Sequence, residues 1–97
     1  MEIKFSPAQY KTLVKLVYLG AWMANSIRTN DIVEEFEDME NYIYSFAQRF
    51  GINDWFEYDK KSESYFPTVS FEEDPQILKY ISDYDEELFW DELIDRL

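Results

Sequence analysis

No cysteine and no histidine occur among the 97 residues, and glycine appears only at Gly20 and Gly51. Without cysteine the chain has no disulfide framework, no thiolate nucleophile and no Cys-ligated zinc or iron–sulfur site. Without histidine it lacks an imidazole base, an imidazole metal ligand and the common form of the catalytic triad. Two isolated glycines cannot build a glycine-rich phosphate loop. Ser6, Ser26, Ser45, Ser62, Ser64, Ser70 and Ser82 therefore have no histidine to activate them, and a lysine base would need a desolvated pocket. Paired carboxylates of the glycosidase type need a substrate cleft for which a helical domain of this length has little room. A non-enzymatic protein is expected, with no catalytic residue, cofactor or metal assigned.

Positive charge is also scarce, at 9 Lys+Arg against 21 Asp+Glu, for a net charge of −12. Acidity of this kind often marks disorder, but disordered chains are poor in aromatics. Here 3 Trp, 8 Tyr and 8 Phe are available for a core, each able to bury roughly 150–250 Å². Length and composition therefore predict a single folded domain over residues 1–97.

The pattern predicts a mainly α fold, a compact bundle of about four helices around a central apolar helix, with room for one small β-hairpin. Ser6-Pro7-Ala8-Gln9 supplies an N-cap, a proline in the first helical position and a capping-box glutamine. Between Leu16 and Ala24 there is no polar residue. A helix apolar on all sides is normally buried on all sides, so residues 7–28 are expected to run through the middle of the domain. Gly20 costs roughly 1 kcal/mol against Ala inside a helix, and a close helix–helix contact is its expected reason. Thr29-Asn30-Asp31 reads as a turn and cap before a second helix ending at Phe50. Its stripe is Ile32, Val33, Phe36, Met39, Ile43, Phe46, Ala47 and Phe50, and Gly51 is its stop. Residues 65–71 alternate like an edge strand that pairs with residues 55–58. Asp74-Pro75 caps a short helix, Tyr84-Asp85 interrupts it, and a last helix follows over residues 86–97, with Asp85, Glu86 and Glu87 as its cap and first turn.

Charge divides unevenly, +3 over residues 1–30 and −15 over residues 31–97. Lys11 and Lys15 are expected to face the acids of the second helix. A small domain at −12 repels nucleic acid and anionic membranes and attracts basic surfaces. Trp22, Trp55 and Trp90 have no basic groove around them of the kind a base-stacking platform needs, so they are assigned to the core. Glu34, Glu37 and Asp38 on the acidic helix face, with Tyr58, Tyr80 and Tyr84 beside charged residues, form the candidate partner-binding set. Tyr65 shares their setting, and tyrosine is enriched in interface cores.

Glu34 with Asp38, and Glu37 with Glu40, share helix faces. Together with Glu92-Leu93-Ile94-Asp95 this resembles the E-x-x-E plus E-x-x-D pattern of MazG-like nucleotide pyrophosphatases, which implies an all-α, Mg²⁺-dependent hydrolase. The gap of more than fifty residues is longer than that pattern has, and no basic substrate-binding residues accompany it. Asp83 to Glu87 fails the EF-hand spacing, since Leu88 stands where the glycine belongs and Ile94 where the bidentate Glu belongs. The run from Pro7 to Arg28, with Tyr18-Leu19-Gly20 and Trp22, and the ending Tyr84 to Leu97 resemble small acidic bacterial proteins of unassigned function. That resemblance implies no chemistry, but it implies a last helix that continues beyond Leu97.

The expected function is binding of a basic protein partner by the acidic surface, inhibitory if it acts as a nucleic-acid mimic or immunity-type protein. Direct nucleic-acid or membrane binding is not expected. The alternatives are a self-associating structural protein, as a homodimer, and the MazG-like hydrolase. Met1 to Phe5 lacks the features of a signal peptide, which makes the cytoplasm the default expectation.

Overall fold

Ser6 opens the first helix as its sequence predicts. Its hydroxyl accepts from the Gln9 N–H at 3.1 Å, and the Gln9 side chain accepts from the Ser6 N–H at 2.9 Å. The computed structural model describes residues 1–95, and side chains as far as Glu87. Its elements are α1 (Pro7–Asn25), α2 (Glu34–Tyr44), a 3-10 turn (Ala47–Phe50), β1 (Phe56–Asp59), β2 (Ser64–Pro67), α3 (Val69–Glu72) and α4 (Pro75–Asp95). The protein is mostly helical with one small antiparallel sheet.

Two helices end earlier than the apolar pattern predicts, for local reasons. α1 gives way after Asn25 to a turn in which the Arg28 N–H donates to the Asn25 carbonyl at 3.0 Å. The Asn25 side chain ties down the start of the next helix: its Oδ1 accepts from the Val33 N–H at 2.7 Å and its Nδ2 donates to the Val33 carbonyl at 3.5 Å. Asp31 is not the cap its sequence position predicts: Val33 is the N-cap of α2, with no side-chain cap bond, and the Asp31 carboxylate is held by Arg28 at 2.8 Å. α2 stops at Tyr44, where the Ser45 hydroxyl donates to the Tyr42 carbonyl and competes with the helix. The chain then tightens into the 3-10 turn and stops at Gly51, whose φ of +75° is the left-handed conformation that glycine adopts without steric cost.

The hairpin forms in the register Phe56↔Pro67 to Asp59↔Ser64. The Asp59 carboxylate closes its loop by accepting from the Lys61 N–H and the Ser62 hydroxyl. The expected strand ends before Val69. Thr68 caps a helical turn, accepting from the Phe71 N–H at 3.3 Å while donating to the Asp54 carbonyl at 2.8 Å. Val69 is consequently exposed and Phe71 fully buried, so they do not share a strand face. Asp74 caps α4 through the Gln76 and Ile77 amides. α4 then runs unbroken through Tyr84-Asp85, since residues 76–95 contain no glycine or proline to stop it. Asp85, Glu86 and Glu87 are mid-helix residues and not a cap.

Tyr10, Val14, Tyr44, Ala47, Ile52, Phe56, Phe71 and Ile77 form the core. Tyr10 stacks on Phe50 at 4.1 Å and Tyr44 on Phe56 at 4.0 Å. The Tyr10 hydroxyl donates to the Ile43 carbonyl, and burial pushes its pKa up to about 12. α1 is not buried on all sides. It sinks Tyr10, Val14 and Ala21, while Leu16 stays 65% and Met23 53% exposed. Gly20 has no helix against it, because a Cβ built there meets nothing within 4 Å. Lys15 turns away from α2, pairing with Asp74 at 3.7 Å, donating to Gln76 at 2.8 Å and lying 5.7 Å from the Trp55 ring. Lys11 enters neither ion pair among the described residues. No described helix is long and apolar enough to cross a membrane.

Candidate functional site

The first turns of α2 interleave two kinds of residue. Glu34, Glu35, Glu37 and Asp38 are exposed, and so are Phe36 (45%) and Met39 (52%) between them. Among the described residues the ion pairs are Lys15–Asp74 and Arg28–Asp31, and none of these four acids enters either. At helical spacing Phe36 and Met39 fall on one side of α2 and reach the exposed stripe of α1. A groove of about 190 Å³ results, lined by Leu16, Val17, Gly20, Ala21, Phe36 and Met39, with no charged side chain in its wall. The sequence signal for it was the missing polar face of α1. An unbroken apolar run satisfies a contact surface as well as it satisfies a core.

The other side of the α1–α2 junction differs in chemistry. An open cleft of about 260 Å³ is lined by Tyr18, Ala21, Trp22, Asn25, Ser26, Glu37 and Glu40. Tyr84 of α4 meets Trp22 edge to face at 6.0 Å. The Tyr44 hydroxyl donates to the Glu40 carboxylate at 2.7 Å. Burial raises the Glu40 pKa, the Tyr44 bond partly offsets this, and the nearby Glu37 charge raises it further. Burial also lifts Tyr44, with the bond to Glu40 adding to the effect. Tyr18 rises for the same first reason, then through the Glu72 and Glu40 charges.

Of the six residues expected to bind a partner, Glu34, Glu37 and Asp38 lie on one short helix, and Tyr84 joins Glu37 through Trp22 at the cleft. Tyr58 packs on Tyr65 across the hairpin at 4.9 Å, and Tyr80 lies on α4 beside Gln76. Neither lines the cleft or the groove. Glu37 and Glu40 of the E-x-x-E match share the cleft, whereas the side chains of Glu92 and Asp95 lie outside the described residues. Among the described residues no three acids are placed to hold a metal ion.

Replacing Glu40 isolates the cost of its burial. Its folded pKa lies above the ordinary value of 4.5, so the folded state holds the proton more tightly than the unfolded one. That contribution to stability is complete below about 4.5 and is lost as pH rises through the folded pKa. Glu40→Gln retains an acceptor for Tyr44 without this titration. The stability of Glu40→Gln relative to wild type, from urea unfolding at successive pH values, is expected to rise from about pH 4.5 upward and then level off. A difference that stays flat from pH 4 to 7 contradicts the assignment.

Searches against protein-family models, curated proteins and solved structures find no match to this chain.

Proposed function

We propose that this protein is a non-enzymatic binding module that engages a basic protein partner through the exposed face of α1 and α2. The observation that carries the reading is the interleaving on α2, where four acids that enter no ion pair among the described residues alternate with two exposed apolar side chains. Protein interfaces have this anatomy, an apolar centre inside a polar rim. Phe36, Met39, Leu16 and the open backbone at Gly20 supply the centre, and Glu34, Glu35 and Asp38 the rim. Rim charges act chiefly on the association rate and on the choice of partner. A net charge of −12 selects a basic partner.

The test is capture from the source lysate by the wild type and by the triple variant Glu34→Gln, Glu35→Gln, Asp38→Asn. A basic protein is expected to be held at about 0.1 M salt, where charges act over about 10 Å, and released at about 1 M, where the range is about 3 Å. The triple variant is expected to lose it at both. Retention that ignores salt or the triple variant removes the reading.

A second reading is favoured by one observation, the uncharged groove over Gly20. Two copies each at −12 repel least at the +3 segment containing α1, so the groove also suits self-association as a homodimer. Light scattering separates the two. A concentration-independent dimer favours self-association, and a monomer leaves the groove to a different protein.

A further inference from the structure

The cleft on the far side of the α1–α2 junction has a chemistry the groove lacks. Its wall combines the rings of Tyr18 and Trp22 with the carboxylates of Glu37 and Glu40 and the polar side chains of Asn25 and Ser26. Tyr84 packs against Trp22 from outside the cleft, the two rings nearly perpendicular at 6.0 Å. No lysine or arginine lines it, so the chain's own cations do not neutralise it. The Glu40 carboxylate is held in place by the Tyr44 hydroxyl at 2.7 Å, with Tyr44 itself buried. The Glu37 amide donates to the Val33 carbonyl at 3.4 Å, whereas its exposed carboxylate enters neither ion pair among the described residues.

A concave site with an aromatic wall on one side and carboxylates on another attracts an organic cation in two ways at once. The ring faces attract positive charge, most strongly at tryptophan. The carboxylates accept charge-assisted hydrogen bonds, and a guanidinium offers them a planar fork of donors while stacking on a ring. A hydrated metal ion makes poor use of such rings, and the two carboxylates fall short of a metal-binding group. We infer that this cleft seats one arginine side chain of the partner, with the guanidinium against Trp22 and its donors toward Glu37 and Glu40. The inference rests on the proposed basic-partner reading and names the group by which that partner is recognised.

The probe is Nα-acetyl-arginine amide, with its citrulline counterpart as the neutral isostere. Binding is read at the Trp22 indole N–H by two-dimensional NMR of the 15N-labelled full chain, the signal being assigned with Trp22→Phe. A saturable shift is expected with a dissociation constant on the order of 1–10 mM for a single side chain, and none with the citrulline amide. Glu37→Gln, at a carboxylate that enters neither ion pair among the described residues, is expected to weaken binding roughly three- to tenfold with the rest of the spectrum unchanged. No saturable shift up to about 50 mM, an equal shift with citrulline, or undiminished binding by Glu37→Gln overturns the inference. Failure here, with the Glu34/Glu35/Asp38 variant still losing its partner, removes the arginine site alone. Loss of the parent reading shows instead as a partner that the triple variant retains.

Discussion

Phe71→Ala is expected to destabilise the protein by about 3–5 kcal/mol, the range for removing a fully buried phenylalanine. Phe71 is the side chain on which three others converge. Its ring lies 5.1 Å from Tyr18, 5.1 Å from Trp55 and 5.0 Å from Phe56, none of them parallel to it. Those neighbours come from α1, from the turn before the hairpin and from β1, so one residue on a four-residue helix joins most of the fold. The void cannot close easily, because the Trp55 carbonyl accepts from the Thr68 amide at 2.9 Å and fixes the chain on both sides of it. A domain of 97 residues has a total stability of about 5–15 kcal/mol, so the variant loses a large share of it. Each kcal/mol lowers the melting temperature by about 4–8 °C for a domain of this size. Thermal unfolding followed by near-ultraviolet circular dichroism reads the effect. A fall of only a few degrees contradicts Phe71 as the centre of the core.

The position of Phe71 also shows where sequence reasoning ends. Signals that act within a turn of helix are legible: the Ser6 capping box and the Asp74-Pro75 start stand as their residues predict, while Gly51 is a stop for the 3-10 turn and not for α2. A small hairpin near residues 55–71 is legible too, but its strands are 56–59 and 64–67, not 55–58 and 65–71. Signals that depend on distant partners are not legible. The alternation of Val69 and Phe71 reads as a strand until Thr68 finds the Asp54 carbonyl, fourteen positions away. Asn25 looks like one more helical residue until Val33 takes both ends of its amide. The same limit applies to the site. The acids of α2 are plain in the sequence, but the α1 face beside them reads as core, because hydrophobicity alone does not say which side of a helix meets solvent. The cleft is hidden for another reason. Trp22 and Glu37 are fifteen positions apart in sequence, and only the packing of α1 on α2 brings them to one wall.

Leu16→Glu is expected to separate binding from folding. Leu16 is 65% exposed, and glutamate is about as good a helix former as leucine, so monomer stability is expected to change by no more than about 0.5 kcal/mol. If the groove is the centre of the contact surface, a carboxylate there must be desolvated when the partner docks. A residue of that kind costs about 2 kcal/mol or more when disrupted, which is a loss of roughly thirtyfold or more in affinity. The direction is informative because the substitution adds negative charge. Long-range attraction to a basic partner rises slightly with Leu16→Glu, so a surface that acted by charge alone binds the variant as well as the wild type, or faster. Only an apolar contact at the groove makes it bind worse. The two proteins are to be compared by calorimetry against the captured partner, with urea unfolding as the control for folding. Undiminished binding by Leu16→Glu makes the groove irrelevant and leaves recognition to the acids of α2 and the Trp22 cleft. Lost binding with intact folding assigns the centre of the interface to Leu16, Gly20, Phe36 and Met39, with the carboxylates steering the approach.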